Sequence, residues 1–599
     1  MHGPREVLLS MAMFLIGGVP LQASDIHLTE DGKSEYAIAL SESASPSERH
    51  AARELQKFLA EISGAELPIV DGGKASEHMV VLGDGEQLRA LGLSIDFSGL
   101  GGEGFVIKSA GPHLVIAGGR LRGTMYGVYT FLEEVLGCRW YTSRVSRIPK
   151  KPSLTLGPLD IAQKPDFEYR EPFYFDALDG DWAARNKANS SQARLDEARG
   201  GHPTYYQFVH SFYRLVPPDE YFEEHPEYYS LLGGERKVKG GQLCLTNPDV
   251  LKIATQTVLG WIEEHPEATL YSVSQQDGFG GNCECDKCKA IDEEEGSPSG
   301  LLLRFVNAIA DEVARKHPGK MIDTLAYTYG EKPPKITRPR PNVRVRLAPI
   351  LICHSHPMKT CDHGKNVEAL SNLTGWGQMG GHQYVWHYNT TFNNYMLPYP
   401  NLEELEANFR LYKASGVAGV FAQGNSFGPA GLMPELQAYL IAKLLWNTQT
   451  DRRRVVADFL NGYFGKSGKA LGRFLDLMHD KVRTENIHVF HWDPVDAAFL
   501  SPEILAAGER AFDEAEKVAD DADVLRRVRH ARLSIEYIKV KREVDKASAS
   551  GTPEEKAAAL ENLTAFVKKC KAAGVQRLEE WTPLEQHFER LAKPLGSSG

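Results

Sequence analysis

The sequence has no block of basic residues, and its 68 Lys and Arg are outnumbered by 79 Asp and Glu, which leaves a net charge of −11. Nucleic-acid-binding proteins gather Lys and Arg on one surface, so nucleic acid is not an expected partner. Beyond residue 21 the sequence also lacks the ~18 consecutive apolar residues that a membrane-spanning helix requires. The remaining composition, with 42% hydrophobic and 25% charged residues, is typical of a folded globular protein.

An export signal is predicted at the amino terminus. Arg5 precedes an apolar stretch at 7–21, and Gln22, Ala23 and Ser24 follow it. A basic start, a short apolar middle and a small-residue end are typical of a secretory signal peptide. We therefore expect residues 1–23 to be removed and the protein to be exported, either to the periplasm or out of the cell. A buried N-terminal helix is the alternative interpretation of the same stretch.

Residues 24–160 predict a small α/β domain. Ser45-Pro46-Ser47-Glu48 has the pattern of a capping box with proline at the first helical position, so a helix is expected to start here. The glycine-rich run at 118–123 resembles a phosphate-binding loop but lacks the Lys-Ser/Thr ending. We interpret this run as a tight turn, and no cofactor is predicted.

Residues 161–447 alternate strand and helix patterns and predict a (β/α)₈ TIM-like barrel, with a doubly wound open sheet as the alternative. From 448 to 599 the residues Ala, Glu, Lys, Arg and Leu predominate, which predicts a helical C-terminal domain. The fold class is therefore α/β. The eight candidate strands lie at 169–175, 206–212, 242–246, 269–276, 321–329, 343–350, 382–388 and 419–423.

Polar and aromatic residues lie at the C-terminal ends of several candidate strands. Active sites of (β/α)₈ barrels gather at the C-terminal ends of the strands, so these side chains predict a site. Rings beside carboxylates and amides suit a sugar, which stacks on rings and bonds to polar groups through its hydroxyls. Carbohydrate is the predicted substrate class. The predicted substrate-binding residues are Arg170, His210, Gln276, Tyr327, Trp386, His387, Tyr388 and Gln423.

Asp277 is the leading candidate for the general acid of a glycoside hydrolase. An apolar strand at 270–273 turns polar and ends in this carboxylate. Hydrolysis of a glycosidic bond usually needs two carboxyl groups about 5 to 9.5 Å apart. Glu331, which closes the next strand, is the predicted base or nucleophile, and Glu171 and Asp176 are alternatives. A helix cap or a loop turn is the structural alternative for Asp277.

The eight cysteines are unevenly distributed. Cys283, Cys285 and Cys288 form a C-x-C-x-x-C cluster, and Cys353 and Cys361 flank the loop after the sixth candidate strand. Both loops are expected on one face of the barrel, where disulfides or a zinc ion could join them. Disulfides are the preferred interpretation because the protein is expected to be exported, and exported proteins fold in an oxidising environment. A structural zinc held by Cys283, Cys285, Cys288 and Cys361 is the second interpretation, and reduced thiols are the third.

The N-terminal region resembles a known domain. The segments SERHAAREL (47–55), GGRLRGTMYGVY (118–129) and FLEE (131–134) are similar to the non-catalytic N-terminal domain of alpha-glucuronidases and beta-hexosaminidases. This resemblance implies a protein built like a carbohydrate-active enzyme, with its chemistry located in the following domain.

The barrel region is similar to a secreted bacterial family of unknown function. The resemblance rests on HPEYY (225–229), QLCLTN (242–247) and SQQD (274–277), which runs into the cysteine cluster. It implies an exported, glycoside-hydrolase-like barrel whose chemistry is unassigned. Beta-hexosaminidases end their fourth strand with adjacent Asp and Glu, whereas this chain has Gln276 and Asp277. Cleavage assisted by an N-acetyl group of the substrate is therefore not expected.

These features together predict a glycoside hydrolase that acts on a polysaccharide or an oligosaccharide. An alpha-glucuronidase-like action on a uronic-acid-containing substrate is a weaker preference. A carbohydrate-binding barrel that has lost catalysis is the alternative, and a polysaccharide lyase with a Tyr or His base is a more remote one.

Overall fold

The computed structural model describes residues 25–72 and 76–596, so the signal peptide predicted for residues 1–23 lies outside the described residues. The chain forms two compact units. One contains the described residues up to Phe131 together with Lys150–Gln163, and the other contains Leu132–Pro149 and the described residues from Lys164 onward. Within the described residues, no helix is both long enough and apolar enough to cross a membrane.

The N-terminal unit is a mixed six-stranded sheet with helices. Its sheet order is Asp160–Gln163, Phe105–Ala110, His113–Gly118, Met79–Leu82, Ala37–Leu40 and Ile69–Asp71. A separate pair joins Ile26–Thr29 to Leu154–Leu156. The helices are Pro46–Ser63, Glu86–Ala90, Phe97–Leu100 and Gly123–Thr130.

Two local predictions for this unit are confirmed. Ser45 Oγ accepts from the Glu48 backbone N–H over 3.2 Å, and Glu48 Oε2 accepts from the Ser45 N–H over 2.7 Å, which is the expected capping box. The glycine-rich run is a tight turn between a strand and a helix. A Cβ at Gly119 would lie 1.9 Å from the Gly101 carbonyl oxygen, so glycine here permits close backbone packing.

The second unit is built around seven parallel strands, which we label β1 to β7. The strands are β1 (Tyr169–Phe173), β2 (Tyr205–Tyr206), β3 (Leu270–Ser272), β4 (Met321–Tyr327), β5 (Val343–Ala348), β6 (His382–Tyr388) and β7 (Val417–Gln423). Their order in the sheet is β1, β7, β6, β5, β4, β3, β2. Because the strands are parallel, their C-terminal ends share one edge.

The sheet is a half-barrel rather than the predicted closed barrel of eight strands. Among the described residues, β1 and β2 form its two edges and are not hydrogen-bonded to one another. The candidate strand at 242–246 is wrong: Leu243 makes only an isolated bridge to Tyr229. The candidate at 206–212 shortens to β2 because Gln207 and His210 take positive φ values of 52° and 54°, which end the extended backbone.

The concave side of the sheet is filled by side chains. Arg346 on β5 and Asp323 on β4 are both fully buried, and Arg346 Nη2 donates to Asp323 Oδ2 over 3.1 Å. The Arg346 guanidinium also stands 4.4 Å from the centre of the Phe208 ring. Across the open side, the rings of Tyr169 and Tyr205 are 6.0 Å apart. Charged and aromatic side chains therefore pack against one another within the half-barrel.

Helices cover the half-barrel and form the predicted helical C-terminal region. Asn247 Oδ1 caps one of them by accepting from the backbone N–H of Asp249 over 2.9 Å. The half-barrel helices are Gly180–Arg185, Phe212–Leu215, Pro218–Tyr221, Pro248–Glu264, Asp286–Glu295, Ser299–Lys316, Gly364–Gln378, Leu402–Ala414 and Pro434–Trp446. The C-terminal helices are Arg452–Phe464, Gly468–Thr484, Pro502–Lys517, Ala522–Ser550, Pro553–Ala572 and Leu584–Ala592.

Candidate functional site

A cavity of about 470 Å³ opens at the C-terminal edge of the sheet. Residues that follow β2 and β3, residues of β4 to β7 and two loops of the C-terminal region line it. A larger hollow of about 610 Å³ lies elsewhere, among helices that include Gly468–Thr484. The cavity at the strand ends is the candidate site, because ligands of parallel sheets bind where the strands end.

Asp277 enters this cavity from the loop after β3. Gly278 follows with φ 147°, a conformation that favours glycine and lets the chain turn directly after the carboxylate. The Tyr327 hydroxyl donates to Asp277 Oδ1 over 3.1 Å, and His210 Nε2 lies 4.0 Å from the same oxygen. The Asp277 side chain remains 73% exposed. The carboxylate is thus held by β4 while it stays open to a ligand.

His210 is oriented by the backbone. Its Nδ1 lies 2.8 Å from the Gln275 carbonyl oxygen, which can only accept, so Nδ1 carries a proton and donates it. Nε2 is then the ring atom that faces Asp277. The positive φ of His210 is a strained conformation of the kind that occurs at binding and catalytic sites.

Glu580 is a second carboxylate in the same cavity, and the sequence interpretation missed it. Gln423 Nε2 donates to Glu580 Oε1 over 3.1 Å, and Trp386 Nε1 donates to Gln423 Oε1 over 2.8 Å. Burial raises the pKa of Glu580, the Gln423 hydrogen bond opposes this rise, and the nearby charge of Asp277 adds to it. The cavity therefore contains two carboxyl groups in different surroundings.

Aromatic rings form much of the cavity wall and its mouth. Trp386 and Tyr388 of β6 belong to the wall. Phe279 and Trp581 are 63% and 62% exposed, and the Phe279 ring stands 6.0 Å from that of Trp492. Large exposed rings at a cavity mouth are typical of a ligand-binding surface, and sugars stack on such rings.

A family model described as a domain of unknown function (DUF4838) matches residues 140–476, more than half of the chain. The chain belongs to the DUF4838 family. A model of the glycosyl hydrolase family 67 N-terminus matches residues 25–131, in agreement with the resemblance of the N-terminal segments. No curated protein matches the chain. Glu580 lies C-terminal to the DUF4838 match, so the cavity combines residues of the family domain with residues that follow it.

Solved glycoside hydrolases resemble the DUF4838 chain at low identity. A family GH115 4-O-methyl-alpha-glucuronidase with specificity for decorated arabinogalactans is 13% identical, with a TM-score of 0.57 over 95% of this chain and 80% of that chain. A family GH138 enzyme targeting pectin rhamnogalacturonan II is 10% identical, with a TM-score of 0.49 over 94% and 98% of the chains. A family 89 glycoside hydrolase from Clostridium perfringens is 13% identical, with a TM-score of 0.49 over 91% and 70%. The first likeness shows that the fold is glycoside-hydrolase-like.

The cavity brings together most of the residues predicted to surround a sugar. The predicted residues that line it are His210, Asp277, Tyr327, Trp386, Tyr388 and Gln423. Four predicted residues, Arg170, Gln276, Glu331 and His387, are not among the residues that line it.

Arg170 and His387 face away from the cavity, which corrects their expected contact with substrate. Arg170 is fully buried, donates to the backbone oxygens of Lys187 and Phe167 and lies 5.4 Å from the Trp446 ring. His387 is 1% exposed, and its Nδ1 lies 2.9 Å from the Tyr412 hydroxyl. Successive strand residues point to opposite faces, so His387 points away when its two neighbours point into the cavity.

Gln276 bonds to the backbone of Tyr213, and the Glu331 carboxyl group lies near two charged residues that do not line the cavity. The Gln276 side-chain oxygen accepts from the Tyr213 N–H over 3.2 Å, which orders the loop before Asp277. Burial raises the pKa of Glu331 to about 7, Glu368 adds to this rise and Lys365 opposes it. Both of these neighbours lie on the helix Gly364–Gln378.

The alternative partners of Asp277 are also engaged in structural contacts. Glu171 is fully buried and accepts from the Ser191 hydroxyl over 2.9 Å. Asp176 accepts from the backbone N–H and the hydroxyl of Ser143. Neither residue lines the cavity.

The cysteines differ from the preferred interpretation. All eight lie within the described residues, and none forms a disulfide. Cys283, Cys285 and Cys288 lie with Cys244, and not with Cys361 as expected. Two further groups have the composition of metal ligands: one is Cys353, His356, Cys361 and His488, and the other is the buried set His354, His387 and Glu404.

Proposed function

We propose that the protein is a glycoside hydrolase that cleaves a polysaccharide or an oligosaccharide in the cavity at the end of the half-barrel. The observation that carries this proposal is that Asp277 and Glu580 line the same cavity. Two carboxyl groups that flank a glycosidic bond are the usual machinery of such hydrolysis. A volume of about 470 Å³ is within the range of small-molecule sites.

The surroundings of the two carboxyl groups support different roles. Burial and the charge of Asp277 raise the pKa of Glu580, which favours a protonated carboxyl group that can donate to the leaving oxygen. Asp277 is exposed and accepts a hydrogen bond from Tyr327, which suits a carboxylate that acts as a base or a nucleophile. This assignment replaces the pair of Asp277 as acid and Glu331 as base.

The rings supply the binding surface of the proposed enzyme. Trp386 is fixed by the hydrogen bond of its indole N–H to Gln423, so one ring in the wall is rigid. Phe279 and Trp581 stand at the mouth with most of their surface in water. Stacking on such rings buries apolar sugar faces, while Gln423 and His210 are placed to contact hydroxyl groups.

The charge of the cavity favours a neutral sugar at the position next to the carboxyl pair. Of the described residues that line the cavity, none is Lys or Arg, whereas two are acidic. A uronic acid would bring a third carboxylate beside Asp277 and Glu580, and like charges at close range repel. Arg170, a predicted substrate-binding residue whose charge could pair with a uronate, is buried and does not line the cavity. The lyase alternative is weakened for the same reason, since a uronate substrate needs its charge neutralised.

The proposal is tested by release of reducing ends from a panel of neutral and acidic glycans. We expect the wild type to release sugar, and Asp277→Asn and Glu580→Gln to lose at least about a hundredfold in kcat, as loss of acid–base catalysis does. Glu263→Gln is the matched control, because Glu263 is an exposed residue of the helix Pro248–Glu264 and does not line the cavity. Thermal unfolding of each variant verifies that the fold is retained.

Each other outcome contradicts the proposal in a defined way. Glycan binding without any release selects the non-catalytic carbohydrate-binding barrel. Unsaturated uronate products, detected by their ultraviolet absorbance, select a lyase.

We also propose that the protein is exported. N-terminal sequencing of the mature chain from its native host tests this proposal, and we expect residues 1–23 to be absent.

A further inference from the structure

We propose that this chain holds two structural zinc ions. One is bound by Cys244, Cys283, Cys285 and Cys288, which we call the four-cysteine site. The other is bound by Cys353, His356, Cys361 and His488, which we call the mixed site. Within each group, the ligand atoms all lie within 4.8 Å of one another.

The spacing of the four-cysteine site fits a single tetrahedral ion. Cys244 Sγ lies 3.8 Å from Cys285 Sγ and 3.9 Å from Cys288 Sγ. A tetrahedral zinc ion with Zn–S bonds of about 2.3 Å sets neighbouring sulfur atoms about 3.8 Å apart. A disulfide needs about 2.05 Å, so these distances match a shared ion and not a covalent bond.

The surroundings of this site suit bound thiolates. Four thiolates and one Zn²⁺ carry a net negative charge, which must be balanced locally. The Leu231 backbone N–H donates to Cys283 Sγ over 3.3 Å, and Arg236 Nη1 lies 3.7 Å from the same sulfur. An amide donor and a guanidinium are the partners that stabilise such sulfurs.

The four-cysteine site lies directly after the loop that carries Asp277. Gln242, two residues before Cys244, accepts from the Gln276 N–H over 2.8 Å and donates to the Gln276 carbonyl over 3.1 Å. Cys283 follows the same loop on its other side. An ion that joins Cys244 to Cys283 therefore fixes both ends of the loop. This consequence for catalysis rests on the proposed function, whereas the metal site does not.

The mixed site is carried by a separate set of observations. Cys353 Sγ lies 3.4 Å from His356 Nδ1, and Cys361 Sγ lies 3.8 Å from His488 Nδ1. Zn–S bonds of about 2.3 Å and Zn–N bonds of about 2.0–2.1 Å set sulfur and nitrogen about 3.6 Å apart around a tetrahedral ion. Both histidines thus present the same ring nitrogen at the spacing of a zinc ligand.

The second nitrogen of each histidine in the mixed site has the partner that a zinc-bound imidazole requires. His356 Nε2 lies 3.2 Å from the Val482 carbonyl oxygen. His488 Nε2 lies 3.3 Å from Asp362 Oδ1. A carbonyl or a carboxylate at this nitrogen fixes the ring and keeps the other nitrogen free to bind metal. The site joins the loop after β5 to the segment after the helix Gly468–Thr484.

The test is metal analysis of the purified full-length protein together with thiol counting. We expect about two zinc ions per chain and eight thiols that react only after unfolding with a chelator. Cys285→Ser should leave about one zinc, and His488→Ala should also leave about one. Cys570→Ala is the control, because this buried cysteine belongs to neither group, and it should keep two. Absence of zinc, bound iron in its place, or disulfides in the wild type would overturn the proposal.

X-ray absorption spectroscopy of the wild type identifies the atoms bound to zinc. It therefore tests both sites even if a variant does not fold. Two zinc ions in these sites give an average of about three sulfur and one nitrogen ligands per ion. A spectrum with oxygen ligands would show surface-bound zinc and contradict both sites. In Cys285→Ser, hydrogen exchange at 274–282 should rise, whereas in His488→Ala it should stay at the wild-type rate. Because none of these measurements uses a substrate, failure of the zinc proposal is distinguishable from failure of the proposed hydrolase.

Discussion

Gln423 donates a hydrogen bond from Nε2 to Oε1 of Glu580 over 3.1 Å, and this bond attaches a C-terminal loop to the end of β7. The other end of the same amide accepts from the Trp386 indole, which only donates, so the orientation of the amide is fixed. One side chain therefore orients both a carboxyl group and an aromatic ring of the cavity. The site depends on residues that are far apart in the sequence.

Gln423→Leu is expected to shift the pH dependence of activity. The Gln423 hydrogen bond lowers the pKa of Glu580 against the effect of burial, so its loss raises that pKa further. If Glu580 is the general acid, the alkaline limb of the kcat/KM profile moves to higher pH. The maximum rate should fall about tenfold or more, since a hydrogen bond to a charged group contributes about 1.5–3 kcal/mol. Gln449→Leu, an exposed position, should leave the profile unchanged.

Tyr327→Phe is expected to lower kcat with little effect on folding. The ring keeps its packing, but Asp277 loses the 3.1 Å hydrogen bond that holds it. Loss of a bond to a charged group predicts a decrease of about tenfold to a hundredfold. Tyr271→Phe is the control, because its hydroxyl donates to the His265 carbonyl outside the cavity. Equal kcat values for the two variants would refute the role of Tyr327.

The sequence predicted polar and aromatic residues at the C-terminal ends of the strands, but it did not predict every residue that lines the cavity there. Asp277 could be found because an apolar strand ends in a carboxylate, and parallel strands end at one edge. Glu580 belongs to a loop of the helical C-terminal region, where no spacing relates it to a strand. One feature of the sequence could have indicated Glu580: it precedes Trp581, which places a carboxyl group beside a large ring in a short loop between two helices.

The sequence also could not show which face of the sheet each strand residue points to. Parallel strands covered on both faces are apolar on both, so the pattern does not distinguish the face toward the cavity from the face toward the helices. Arg170 and His387 were therefore placed on the wrong face. The strand predicted at 242–246 failed for a different reason. Its apolar residues pack in a loop beside the four-cysteine site, where Cys244 lies 3.8 Å from Cys285.

Trp581→Ala is expected to weaken substrate binding without loss of stability. The ring is 62% exposed, so its removal opens little of the core. Loss of a stacking contact of about 0.5–1.5 kcal/mol predicts a rise in KM of about twofold to tenfold. Ile336→Ala is the matched control, because Ile336 is 55% exposed and does not line the cavity. A KM that is unchanged in Trp581→Ala would remove this ring from the binding surface.

Glu331→Gln is expected to make the protein less sensitive to alkaline pH. The folded state raises the pKa of Glu331 from 4.5 to about 7, so the folded state favours the protonated carboxyl group. This contribution to stability is complete below about pH 4.5 and is lost as the pH rises through 7. Glutamine resembles the protonated form and does not ionise. The two proteins should therefore be similarly stable at pH 4, and the variant should gain at most about 3 kcal/mol over the wild type at pH 8.

The measurement is the difference in the free energy of unfolding between variant and wild type, taken by urea denaturation at several pH values. The difference is needed because other buried acids, such as Asp323 with a pKa of about 6, titrate in the same range in both proteins. Glu263→Gln, an exposed position on the helix Pro248–Glu264, should give a difference that does not depend on pH. If the difference for Glu331→Gln were also independent of pH, the Glu331 carboxyl group would be solvated, and burial would not raise its pKa.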